Sequence, residues 1–122
     1  MATSEKSESK KSTRPIYSYA IPASIADGVT SVGLMELTAH EEIMSTKRAS
    51  GDAFRLAYEL AKQSLCEVNG QPVSLADGSV DTAFDKMPAK VRNLVLRAYA
   101  EIHTTNEDVA ADFLKARQVR VG

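Results

Sequence analysis

The stretch from Leu37 to Leu65, LTAHEEIMSTKRASGDAFRLAYELAKQSL, narrows the choice of fold more than any other part of this chain. Thr38 is followed three residues later by Glu41. At that spacing a Thr hydroxyl and a Glu carboxylate each take a free backbone N–H of a first helical turn. Glu41 and Glu42 also put negative charge at the positive end of the helix dipole. Phe54, Tyr58, Ala61 and Leu65 then step at +4, +3 and +4, which predicts one buried helix face. Ser50-Gly51-Asp52 interrupts the run. A Gly within a helix costs about 1 kcal/mol against Ala. The sequence therefore admits one long helix with a weak middle, or two helices with Asp52 capping the second.

Ahead of this stretch the chain changes character twice. Residues 1–14, MATSEKSESKKSTR, offer no apolar cluster to offset the entropy of ordering, so they read as a disordered basic and polar tail. Pro15 to Pro22, PIYSYAIP, is different. Ile16, Tyr17, Tyr19 and Ile21 favour extended structure, and the flanking prolines exclude a helix. The segment reads as an edge strand, or as an extended arm that finds a fixed partner only in an assembly. Ile16, Tyr17, Tyr19 and Ile21 are then the partner-binding candidates. Ala26-Asp27-Gly28 is a turn signal. Val29 to Leu37 reads as a strand bent at Gly33, leading into the Thr38 cap. The two extended segments suit a small antiparallel pair.

Beyond Leu65, Asn69-Gly70 is a favoured pair for a tight turn with positive φ at both residues. A short hairpin or simple reversal is expected there, with Pro72 keeping any second strand at an edge. Leu75 to Ser79 continues as loop, and Asp81 to Met87 suits one helical turn that buries Phe84 and Met87. Pro88 opens the clearest helix, PAKVRNLVLRAYAEIH, at a first position where its missing N–H is not needed. Val91, Leu94, Val95, Ala98, Tyr99 and Ile102 make a full apolar stripe, with Leu94 and Val95 expected in the core. Thr105 with Asp108 suggests another cap, and Val109, Phe113 and Ala116 support a short helix to about Arg117. Residues 119–122 read as a loose end. The expectation is one α+β, mainly helical domain over residues 15–118: a small β element followed by three to four helices. Its core forms where the stripe of residues 91–102 meets the face of Phe54, Tyr58 and Leu65.

Composition enters mainly by exclusion. With 122 residues one domain is the natural size. A net charge of -1 argues against a general nucleic-acid binder. The first residues lack the apolar core of a signal peptide, and no apolar run approaches the ~20 residues of a membrane span. The single cysteine, Cys66, cannot form an intrachain disulfide and fits a reducing compartment.

No residue set matches a known chemistry, so no catalytic, cofactor-binding or metal-binding residue is expected. His40 and His103 have no second ligand at metal spacing. His40 sits in a first helical turn, and His103 in a last turn, where a cation suits the dipole. Cys66 lacks a CxxC partner and reads as a half-buried structural thiol. Asp77-Gly78-Ser79-Val80-Asp81 begins like a calcium loop, but Thr82 stands where Gly is required and Pro88 where Glu is required. No phosphate-binding glycine motif is present.

Three segments resemble the tail assembly chaperones of long-tailed bacteriophages: DGVTSVGLMELTAHEE, GDAFRLAYELAKQSLCEVNGQPV and MPAKVRNLVLRAYAEIH. Leu37, Thr38, Glu41, Glu42, Ser64, Leu65, Val68, Gly70, Val91, Leu94, Val95, Ala98 and Tyr99 carry the match. The resemblance implies a non-enzymatic protein of the host cytoplasm. It would bind the tape-measure protein, hold its apolar helices in solution and recruit tail-tube subunits. Neither nucleic acid nor membrane is an expected ligand, and homo-oligomerisation is compatible with the reading. The rival reading is a small structural protein of a phage tail, neck or baseplate. It would stay in the virion tail and use its N-terminal arm to contact neighbours.

Overall fold

The computed structural model describes residues 14–121. The tail expected over residues 1–14 lies outside the described residues except for Arg14. The guanidinium of Arg14 is bidentate on the Glu41 carboxylate, at 2.6 and 3.2 Å, and also donates to the Glu36 carbonyl.

Four short strands form one antiparallel sheet in sequence order. They are β1 (Ile16–Ala20), β2 (Ser31–Met35), β3 (Leu65–Val68) and β4 (Gln71–Pro72). β1 pairs along its whole length with β2, from Ile16 opposite Met35 to Ala20 opposite Ser31. The segment expected to find its fixed partner only in an assembly is thus an edge strand of the chain's own sheet. Its prolines lie outside the ladder, as an edge strand allows. The register between β2 and β3 shifts at Gly33 and Leu34, the irregularity expected there. Gly33 is required for room: an added Cβ would lie 3.0 Å from Ile16 Cγ2 and 3.0 Å from Glu67 Oε1.

α1 (Ala39–Ala49) begins with the complete capping box of Thr38 and Glu41. The run to Leu65 is two helices. Ser50 and Gly51 take left-handed φ values of 53° and 81°, which end α1. Asp52 then caps α2 (Ala53–Ser64), accepting from the backbone N–H of Phe54 and Arg55. The joint between α1 and α2 is polar. Arg48 donates to Glu59, Ser45 and Gln63, while Ser45 and Glu59 are buried. Sequence periodicity gave no hint of this network. It also misplaced Phe54, which is 79% exposed. The first three residues of α2 are exposed, so the periodic face outruns anything that covers it, and Phe54 touches Tyr58 alone among aromatic rings.

Asn69 and Gly70 have φ of 55° and 77°, as a type I′ turn requires, and join β3 to the edge strand β4. The Asn69 side chain also ties the sheet to the preceding loop through Thr30 N–H and the Gly28 carbonyl. α3 (Ser79–Lys86) is longer than the single turn expected, and buries Val80 and Phe84, with Met87 buried just after it. Pro88 is the residue before α4 (Ala89–His103), one position earlier than its expected place. α5 (Glu107–Lys115) is capped by Asn106, not Thr105, because the Asn106 carboxamide oxygen reaches the Asp108 N–H.

The core lies where α4 and α2 meet the inner face of β2 and β3. Leu34, Leu65, Val80, Phe84, Val91 and Val95 are its fully buried large side chains. Leu94, expected in this core, is half-buried and lines a cleft. Its position in the stripe places it between the sheet-facing residues Val91 and Val95 and the solvent side.

Candidate functional site

A cleft of about 280 Å³ opens between the end of β1 and α4. Its floor is apolar: Ile21, Pro22, Val32, Leu94 and Ala98. β1 contributes Tyr19 at one rim, and α4 contributes Arg97 and Glu101 at the other. The Tyr19 hydroxyl donates to Glu101 at 2.8 Å across the opening. Burial, then the hydrogen bond to the carboxylate, pushes the Tyr19 phenol up to about 12, so it stays a donor near neutral pH. A second hollow, lined by Arg97, Ala100, Glu101, Thr104, Thr105 and Asn106, continues along α4 to its joint with α5.

The four partner-binding candidates separate in the structure. Ile16 and Tyr17 are exposed at 46% and 38%, on the open outer strand. Tyr19 is half-buried at the rim of the cleft, and Ile21 belongs to the core. Only the first two face solvent. The extended residues that suggested one binding arm form an edge strand, and those toward its end, beside α4, are used internally.

The surface that sequence reasoning missed is α5. It was expected as an ordinary short helix, yet none of its residues is buried. Val109, Phe113 and Leu114 are exposed at 60%, 76% and 67%. Val109 and Phe113 are four residues apart and so share a face, with Ala110 and Leu114 beside them. Asp108 and Asp112 edge that face. The periodicity was visible in the sequence. The missing signal was a second apolar face to cover it.

Among the described residues several polar and titratable side chains have structural hydrogen-bond partners. Cys66 donates its thiol to the Gly33 carbonyl at 3.4 Å. Burial, with the charge of Glu67 next, pushes that thiol up to about 11, far from a reactive thiolate. His103, expected as a cation at a helix end, is an acceptor instead. Its Nε2 accepts the Leu37 N–H at 2.9 Å, while Nδ1 lies 2.8 Å from the Tyr99 carbonyl. With Nε2 accepting, Nδ1 faces the Tyr99 carbonyl as the donor of that pair. The ring stacks on Tyr99 and ties the end of α4 to the chain entering α1. Asp77 holds its loop closed through Ser74 and Ser79, and these hydrogen bonds lower its carboxyl below the usual value. Among the described residues no three potential metal ligands gather, and no helix is long and apolar enough to cross a membrane. Comparison of the chain with family models, curated proteins and solved structures gave no match.

Proposed function

We propose that the chain is a non-enzymatic protein of phage tail morphogenesis, acting as a tail assembly chaperone in the host cytoplasm. In this reading it binds apolar helices of the tape-measure protein, keeps them in solution and recruits tail-tube subunits. Neither nucleic acid nor membrane is its ligand. One observation carries the reading: α5 offers Val109, Phe113 and Leu114 to solvent on a helix that the core does not use. An exposed apolar stripe on a short amphipathic helix is a docking device for another helix, read through anchors at i and i+4. The residues that carry the family resemblance supply the frame, since Thr38 and Glu41 start α1 and Val91, Val95 and Ala98 bury α4.

The test is twofold. Titration of the chain with a soluble apolar helical segment of a tape-measure protein should give saturable binding that Phe113→Asp abolishes. Purified particles should lack the protein by mass spectrometry. Stoichiometric copies in the particle would overturn the chaperone reading. They would favour a structural tail, neck or baseplate protein, for which the open edge of β1 with Ile16 and Tyr17 is the supporting observation.

A further inference from the structure

The cleft beside α4 and the stripe on α5 complement one another. We propose that two copies of the chain exchange α5 reciprocally, each laying its Val109 and Phe113 face in the other's cleft. The proposal stands apart from the tail-assembly reading and concerns the chain's own resting state.

Length is the first argument. α5 has nine residues, about 14 Å at 1.5 Å per residue. The trough along α4, from Leu94 through Arg97, Ala98 and Glu101 to Thr104, covers about 15 Å by the same rise. Shape agrees, since the cleft of about 280 Å³ over Leu94, Ala98 and Ile21 has room for a ring such as Phe113.

Charge is the second. Arg97 stands in both hollows and makes no ion pair among the described residues. The nearby Glu101 is occupied by the Tyr19 hydroxyl. The stripe of α5 is edged by Asp108 and Asp112, so a helix seated in the cleft can present a carboxylate to Arg97.

The joint between α4 and α5 decides for a second copy over the chain's own helix. Thr104 donates its hydroxyl to the Ala100 carbonyl at 2.6 Å and its N–H to the Glu101 carbonyl. Asn106 caps α5 through the Asp108 N–H. With α4 ended and α5 started in this way, α5 stands off its own α4 with none of its residues buried. Another copy receives α5 as it stands. Exchange about a two-fold axis also covers both stripes and leaves no open end, as a closed dimer requires.

Analytical ultracentrifugation of the full chain across the micromolar range tests this. The expected result is a concentration-dependent dimer. Phe113→Asp should weaken association by at least about tenfold while changing the circular dichroism by no more than a slight loss of helix. Arg97→Asp should weaken it too, and Asp112→Arg added to Arg97→Asp should restore it. A chain that stays monomeric throughout would overturn the proposal, whether α5 closes on its own cleft or stays open. So would a dimer indifferent to both Phe113→Asp and Arg97→Asp, which would move the interface elsewhere, for instance to the edge of β1.

Discussion

α4 and α5 follow one another in the chain, and both carry apolar residues at helical spacing. α4 buries Val91, Val95 and Ala98, whereas α5 buries nothing. The difference is supply of surface. The sheet and α2 present Leu34, Ala61 and Leu65 to α4, but among the described residues nothing packs over Val109 and Phe113. An amphipathic pattern states that a face wants cover. It does not state whether the cover comes from the same chain.

A charge placed at matched positions of the two helices should separate them most widely. Val95 is fully buried in α4. Val95→Asp places a carboxylate among Leu34, Val91 and their neighbours with nothing to pair it, and should destabilise the domain by about 4 kcal/mol or more. Urea denaturation followed by circular dichroism would read it. A loss below about 1 kcal/mol would mean that α4 is no more essential to the core than α5.

Within α4, Leu94 stands between the two environments. It is half-buried, with one side on the core and the other on the cleft. Leu94→Ala should therefore cost about 1–2 kcal/mol, below the usual range for a fully buried Leu. A cost of about 4 kcal/mol or more would show that the cleft is filled in solution, since only a covered Leu94 leaves so large a cavity.

These positions also show how far the sequence could be read. Thr38 with Glu41, the Asn69-Gly70 turn and the stripe of α4 were legible because each depends on neighbours within a few residues. The pairing of β1 with β2 was legible as one of two readings. Three features were not legible. Glu59 is buried because Arg48 and Lys62 reach it from different turns and helices. His103 acts as an acceptor because Leu37, 66 positions away, arrives at its ring. Phe54 is exposed because its helix face runs one turn past its cover. Each is set by tertiary neighbours that no local spacing encodes. The candidate site follows the same rule: the apolar anchors of α5 were readable, but their lack of an internal partner was not.

The start of α1 provides a smaller effect, and one with a pH signature. Thr38→Ala should cost about 1 kcal/mol through the lost cap. Burial raises the Glu41 carboxyl, but hydrogen bonds from the Arg14 guanidinium and the Thr38 N–H outweigh it and hold the carboxyl below its ordinary value of 4.5. A carboxyl lowered in the folded state adds stability that is full above that ordinary value and is lost as pH falls through the folded one. Arg14→Ala should remove part of this increment, so its stability should fall less steeply than the wild type's below pH 4.5. Superimposable acid limbs for the two proteins would show that the Arg14–Glu41 pair adds nothing. The pair is partly exposed, with side-chain exposures of 33% and 22%, so its whole contribution should be within about 1 kcal/mol.

A charge on α5 should cost the fold least of all. Phe113 is 76% exposed, so Phe113→Asp removes no internal contact and creates no cavity. In dilute solution the unfolding midpoint should shift by less than about 0.5 kcal/mol equivalent, as a surface change does. The charge also falls in the second half of α5, where a carboxylate is mildly unfavourable to the helix dipole, so a slight loss of helicity confined to α5 is expected. Concentration separates this from a role in association. If α5 is covered by another chain, raising the protein concentration should stabilise the wild type and not Phe113→Asp, because binding to the folded state adds stability by mass action. A large loss already present at dilution would show that α5 packs on its own domain, and the contrast between the two helices would collapse.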